Sequence, residues 1–191
     1  RSNESLIGLC DELCDYGLTV HTEHRTLPRS VNLLRAPFLC TPVAGVQRRT
    51  RGSWSNDMEV EATIDWILYL LSQGLTPAHL AVLTPYVGQL DALRSRMQQR
   101  GLPVFDQPNT YAPSVPHIPI GTVHRFQGGE RDIILYSAVV TEARSLHFQN
   151  QRVNLLNVAV SRARQHFITI GDIDILEKGR YTNHLVNRST Q

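Results

Sequence analysis

Apolar residues in this chain alternate between short continuous runs and stretches with a helical repeat. Leu6, Leu9, Cys10 and Leu13 recur every three to four positions, so Glu4–Asp15 is expected to be a helix, stopped at Gly17 and followed by a strand at Leu18–His21. Glu23–Ser53 carries Pro28, Pro37 and Pro42 with little periodicity and is expected to be irregular. Val60, Ile64, Ile67, Leu68 and Leu71 mark a second helix, closed by Gly74. Leu80–Leu83 is a buried-strand run, and Val87–Arg100 is a helix through Leu90, Leu93 and Met97, with Gly101 as its stop. Strands are expected at Val104-Phe105, Ile120–Val123, Asp132–Val140 and His166–Ile170, with a Pro-rich loop over Asp106–Pro119. Helices are expected at Val153–Arg164 and from Ile173 to about Val186. Such alternation implies an α/β fold with a mainly parallel sheet.

Two polar segments interrupt this apolar pattern, Ile120–Glu130 and Asn154–Arg164. On a helix at about 100° per residue, Leu155, Leu156, Val158, Ala159, Val160 and Ala163 form an apolar sector, and Arg162 falls at its edge. A charge there is costly unless an anion or carboxylate meets it, or the side chain reaches out to solvent. Gly128-Gly129 lets a backbone come close to a ligand with its amides exposed to phosphate oxygens; it also suits a tight turn. Ligands of parallel sheets bind beyond the carboxyl ends of the strands, which would put Thr84-Pro85-Tyr86, Thr122–Glu130 and Gly171-Asp172 on one rim.

The 191 residues are enough for one globular domain, and 41% apolar with 19% charged residues argues against disorder. No apolar run approaches the roughly 20 residues that span a bilayer, so no membrane partner is expected. Three cysteines and no signal-like start point to a reducing interior, the cytoplasm or the nucleus. Net charge is only +2, but Arg48, Arg49 and Arg51 cluster, as do Arg94, Arg96 and Arg100. Arginine outnumbers lysine 18 to 1, which suits bidentate phosphate contacts and would equally follow from GC-rich codons.

The two polar segments resemble motifs V and VI of superfamily 1 helicases, particularly the Upf-like branch, whose patterns run close to S/T-V-x-x-F-Q-G-x-E and L-N-V-A-x-[TS]-R-A-[RK]. Leu83-Thr84-Pro85-Tyr86-Val87-Gly88-Gln89 resembles motif IV. Glu23–Pro28 resembles the Q-Y-R-x-x-P segment, with Glu23 and His24 where glutamine and tyrosine are usual, and Ser5–Leu13 stands where the S-L-F-E-R-L helix precedes it. These segments keep the family's order along nearly the whole chain.

The resemblance implies a RecA-like domain of the P-loop NTPase type, a mainly parallel sheet with helices on both faces, and the second of two such domains that hold ATP and Mg2+ between them. Arg162 and Arg25 match arginines that neutralise the transferring γ-phosphate. Gln127, Gly128, Gly129 and Glu130 match the nucleotide-facing part of motif V, with Gln127 linking nucleotide and strand. Thr84, Pro85 and Thr122 match positions on the backbone of single-stranded nucleic acid, DNA or RNA; His124, Arg125 and Arg164 are further candidates. Upf-like members generally move 5′ to 3′.

The chain contains no G-x-x-x-x-G-K-[ST] loop, no D-E-A/C-x pair and no G-D-x-x-Q-L segment. The expectation is therefore a second domain over residues 1–191 whose partner is the first RecA-like domain of the same parent, and which alone neither hydrolyses ATP nor unwinds. A second reading is a degenerate helicase module serving as a nucleic-acid or protein-binding platform; an intact phosphate loop before Arg1 would discriminate. Cys10, Cys14, His21 and His24 have zinc-capable types, but their spacing departs from zinc patterns and no metal is expected.

Overall fold

In the computed structural model, which describes residues 3–14, 36–105, 116–126 and 129–189, six parallel strands form one sheet with helices on both faces. In chain order the elements are α1 (Glu4–Cys14), β1 (Phe38–Pro42), β2 (Arg48–Thr50), β3 (Ser53–Ser55), α2 (Asp57–Ser72), β4 (Leu80–Thr84), α3 (Val87–Gln99), β5 (Val104–Phe105), β6 (Ile118–Thr122), β7 (Arg131–Ser137), α4 (His147–Asn150), α5 (Val153–Ser161), β8 (Ala163–Gly171), α6 (Ile173–Leu176) and α7 (Asn183–Arg188). The strand order is β1-β8-β7-β4-β6-β5, and β2 and β3 form a separate antiparallel hairpin.

Strand alternation sorts the core into two layers. Ile134 and Tyr136 of β7 and Phe167 of β8 meet Leu6 and Leu9 of α1 and Leu155, Leu156, Ala159 and Val160 of α5. Ile133, Leu135, Ile168 and Ile170 point the other way, onto Ile64, Ile67 and Leu70 of α2 and Leu90, Leu93 and Met97 of α3. Each such side chain contributes about 1.5–3 kcal/mol on burial, against about 1 kcal/mol for a satisfied hydrogen bond, so these two apolar faces set the fold.

Three expectations are corrected. The irregular stretch contains β1, which pairs with β8 as an edge strand, where Pro42 is tolerated, and the β2–β3 hairpin. The helix expected over Val153–Arg164 stops at Ser161, because the Arg131 amide donates to the Arg162 carbonyl at 2.9 Å and β7 draws Ala163 into the sheet. The last helix is split into α6 and α7 by a turn at Gly179, which packs against the Thr182 hydroxyl. The expected strand at Leu18–His21 lies outside the described residues.

A buried polar ring fixes the helix starts against the sheet. Asn56 caps α2, accepting from the amides of Met58 and Glu59, and its own amide donates to Gln89 Oε1 at 2.7 Å. Gln89 Nε2 donates to Ser137 Oγ at 2.9 Å, and Ser137 donates to Glu59 Oε2 at 2.7 Å. Both Glu59 oxygens accept from the Val139 amide, at 2.9 and 2.8 Å. Val139 has φ 75°, a left-handed geometry that costs a β-branched residue on the order of 1–3 kcal/mol and persists only when its surroundings hold it.

Burial pushes the Glu59 carboxyl up to about 8, against the pull of hydrogen bonds from Ser137, Val139 and Asn56. Between the ordinary value of 4.5 and about 8 the folded state holds a proton that the unfolded chain has released, so folding weakens as pH rises through that window and levels off above it. Urea midpoints are expected to fall from about pH 5 to about pH 8, and Glu59→Gln to flatten that slope. A wild-type midpoint that stays level over the window would contradict this account.

Candidate nucleotide and strand rims

The expected site residues lie at opposite ends of the sheet. Thr84 ends β4 and pairs in register with Thr122, which ends β6; both are buried, at 0% and 5% exposure, and Pro85 is buried beside them. Gly171 and Asp172 end β8 on this same rim, where Asp172 caps α6 by accepting from the Ile175 amide. Glu130 immediately precedes β7, and Arg162 immediately precedes β8. The strand from Arg131 to Ser137, at about 3.3 Å per residue, puts about 20 Å between the two rims. The single rim expected for all three loops is thereby corrected: the segment that starts at Thr122 descends from the carboxyl ends of the strands to their amino ends at Glu130.

At the lower rim three arginines stand at the starts of β7 and β8. Arg131 pairs with Ala163, so Arg162 and Arg164 flank it. Arg162 caps the end of α5 with helical angles, φ −79° and ψ −17°. Its Nε is buried and has no hydrogen-bond partner among the described residues, and the same holds for Arg131 Nε. Arg164 Nε meets Glu130 Oε2 at 3.1 Å across a half-exposed ion pair. Burial, and then the like charge of Arg164, hold the Arg131 guanidinium below its ordinary value. Asp132 faces His79 at 4.0 Å. A corner so rich in positive charge, with two buried donors unmet, is chemically complementary to an anion with several oxygens.

Packing does not force a glycine at position 129. A Cβ there would meet the Phe126 ring and Arg131 only at 3.5–3.7 Å, ordinary contact distances, so the described surroundings leave room for a side chain. Gly121 is tighter, since a Cβ on it would lie 3.3 Å from the Phe126 ring, and so it seats that ring beneath the loop. Gln127, Gly128 and Arg25 lie outside the described residues. So do His21 and His24, while Cys10 sits under α5 with its thiol 3.9 Å from the Asn157 carbonyl and pushed up to about 11 by burial.

The upper rim carries exposed polar groups beside the buried threonines. His124 and Arg125 follow Thr122 and are exposed. Arg152 reaches within 3.3 Å of His124 Nε2 and lies 4.6 Å over the Phe148 ring, which packs 5.5 Å from the ring of Tyr86. Sequence reasoning missed Arg131, although an arginine directly after the motif acid and before an apolar strand was there to be seen. It also missed the roles of Asn56, Glu59 and Gln89, whose spacing reports nothing until the fold closes their ring.

The AAA domain family matches residues 13–174. This chain belongs to that family, as a superfamily 1 helicase domain of the Upf-like branch. It is 35% identical over 118 residues to the Regulator of nonsense transcripts 1 homolog of Drosophila melanogaster, covering 61% of this chain and 9% of the relative. It is 25% identical over 179 residues to the DNA replication ATP-dependent helicase/nuclease dna2 of Schizosaccharomyces pombe, covering 93% of this chain and 12% of that protein. The chain thus spans about a tenth of the length of these curated relatives. The C-terminal domain of a possible DNA helicase from Lactobacillus plantarum WCFS1 shares the fold, with a TM-score of 0.56 and 15% identity over 100% of this chain and 94% of that one. Among the described residues no helix is long and apolar enough to cross a membrane.

Because Arg162 Nε is buried without a partner, truncating this side chain removes an unmet donor rather than a stabilising bond. Arg162→Ala in this domain is expected to leave the urea midpoint unchanged or raise it. A loss of more than about 1 kcal/mol would show that Arg162 is a structural residue.

Proposed function

We propose that this chain is the second motor domain of an ATP-driven nucleic-acid helicase, with its nucleotide face at the amino ends of β7 and β8 and its strand face at the carboxyl ends of β4 and β6. The observation that carries the proposal is Arg162, placed between α5 and β8 with a buried Nε unmet among the described residues, beside Arg131 and Arg164 in the register of β7 and β8. An ATP phosphate would satisfy it, and Arg25 would join it from outside the described residues. Bound ATP, with Mg2+ held mainly by a first RecA-like domain, supplies the phosphoryl group that passes to water. Arg162 holds charge against that group, and Glu130 with Gln127, Gly128 and Gly129 lines its approach. Arg164 keeps the Glu130 carboxylate oriented until nucleotide arrives.

On the upper rim, Thr84, Pro85 and Thr122 set the backbone that a single strand of DNA or RNA follows, while the segment from Thr122 to Glu130 joins the two faces through one stretch of chain. A shift at either end therefore reaches the other without a separate relay, which is what a motor coupling hydrolysis to strand movement needs. With no phosphate loop in its sequence, the chain by itself turns over no ATP.

In a protein joining this chain to its first RecA-like domain, Arg162→Ala is expected to cut nucleic-acid-stimulated ATP hydrolysis by about 10³-fold or more. Retention of turnover within about tenfold of wild type would overturn the arginine's role. A wild-type protein that binds strands yet never hydrolyses ATP would favour the binding-platform reading.

A further inference from the structure

A strand crossing the upper rim meets buried hydroxyls at Thr84 and Thr122, so its phosphates need donors that stand out in solvent. The β2–β3 hairpin presents such donors. Every residue of β2 is exposed, and Arg48 leaves 73% of its side chain in water. Arg51 and Gly52 form the tip in left-handed geometry, with φ 49° and 81°, which turns the arm back tightly and leaves Arg51 at its end. Asp57 is the carboxylate that Arg48 meets, at 3.6 Å, and both are largely solvated, so the pair is weak and exchangeable.

The arm is anchored next to the motif IV loop. The Gly88 amide, in the first turn of α3, donates to Ser53 Oγ at 3.0 Å. A Cβ on Gly88 would lie 2.9 Å from the Trp54 carbonyl, so only glycine lets the hairpin sit this close. Trp54, paired across the hairpin with Arg49, packs on the same apolar cluster as Tyr86 and Phe148. From there the surface runs on through Arg152 to His124 and Arg125. Exposed Val87 and Met58, at 52% and 55%, lie in the first turns of α3 and α2. Guanidiniums interleaved with apolar and aromatic groups along one edge suit a flexible strand, whose backbone is anionic and whose bases are flat and apolar.

We propose that the β2–β3 hairpin is a phosphate-gripping arm that extends the single-strand path along the upper rim, with Arg48, Arg49 and Arg51 contacting backbone phosphates. The arm rests on the nucleic-acid reading above, and the experiment separates the two. Binding of labelled oligo-dT and oligo-U to the two-domain protein is measured by anisotropy across a range of KCl concentrations. Each single-strand phosphate contact contributes about 0.7 to the slope of log K against log salt, so replacing all three arginines with alanine is expected to lower the slope by about 2. The triple lysine variant, which keeps the charges, is expected to retain most of that slope, and Arg96→Ala/Arg100→Ala at the far end of α3 to leave it unchanged. A thermal melt of each variant matching wild type confirms that the fold is kept. A wild-type slope in the triple alanine variant overturns the arm alone, as does an equal drop in the Arg96/Arg100 control. No binding of either oligomer by wild type overturns the strand reading and the arm with it.

Discussion

Every strand of the main sheet runs the same way, and that single constraint organises the molecule. A parallel strand cannot turn back into its neighbour; the chain must travel the height of the sheet before it pairs again. Most of those returns are made by helices, which cover both faces and bury them. The returns from β5 to β6 and from β6 to β7 have no described helix, and the second takes only eight residues, 123–130. Its described part buries Val123 and Phe126 and leaves His124 and Arg125 exposed, and its end at Glu130 meets the start of β7.

What was legible in the sequence follows from how local each signal is. α2, α3 and β4 declared themselves through long clean periodicity, since Ile64, Ile67, Leu90 and Leu93 face one layer whatever else the chain does. β1 was hidden because Phe38–Pro42 has neither alternation nor length; only its neighbour β8 makes it a strand. The end of α5 was hidden for the same reason, Ala163 and Arg164 being good helix formers that lose to pairing with β7. The family motifs single out Arg162 and Glu130, which precede the adjacent strands β8 and β7 at one end of the sheet. They could not say that Thr84 and Thr122 stand at the other end, because rim assignment depends on where strands begin and end in space.

The ring of Asn56, Gln89, Ser137 and Glu59 shows a different kind of information. Its members come from α2, α3 and β7 and are silent one at a time. Together they satisfy each other, which is the condition under which buried polar groups specify geometry rather than merely cost energy. They also hold the first turn of α2 against the strained Val139 and tie the first turn of α3, on which the hairpin rests through Gly88, to Ser137.

The backbone bond from Arg131 to the Arg162 carbonyl ties the start of β7 to the start of β8, and the register pairs of the two strands continue upward from it to Ser137 and Ile170. A pull between the two ends of the sheet would run along these strands rather than across them. Their hydrogen bonds would then be loaded together in shear, not peeled apart one by one. The stiffest direction of the sheet is thus the line between its amino and carboxyl ends, so displacement at one end is delivered to the other with little lost to stretching in between.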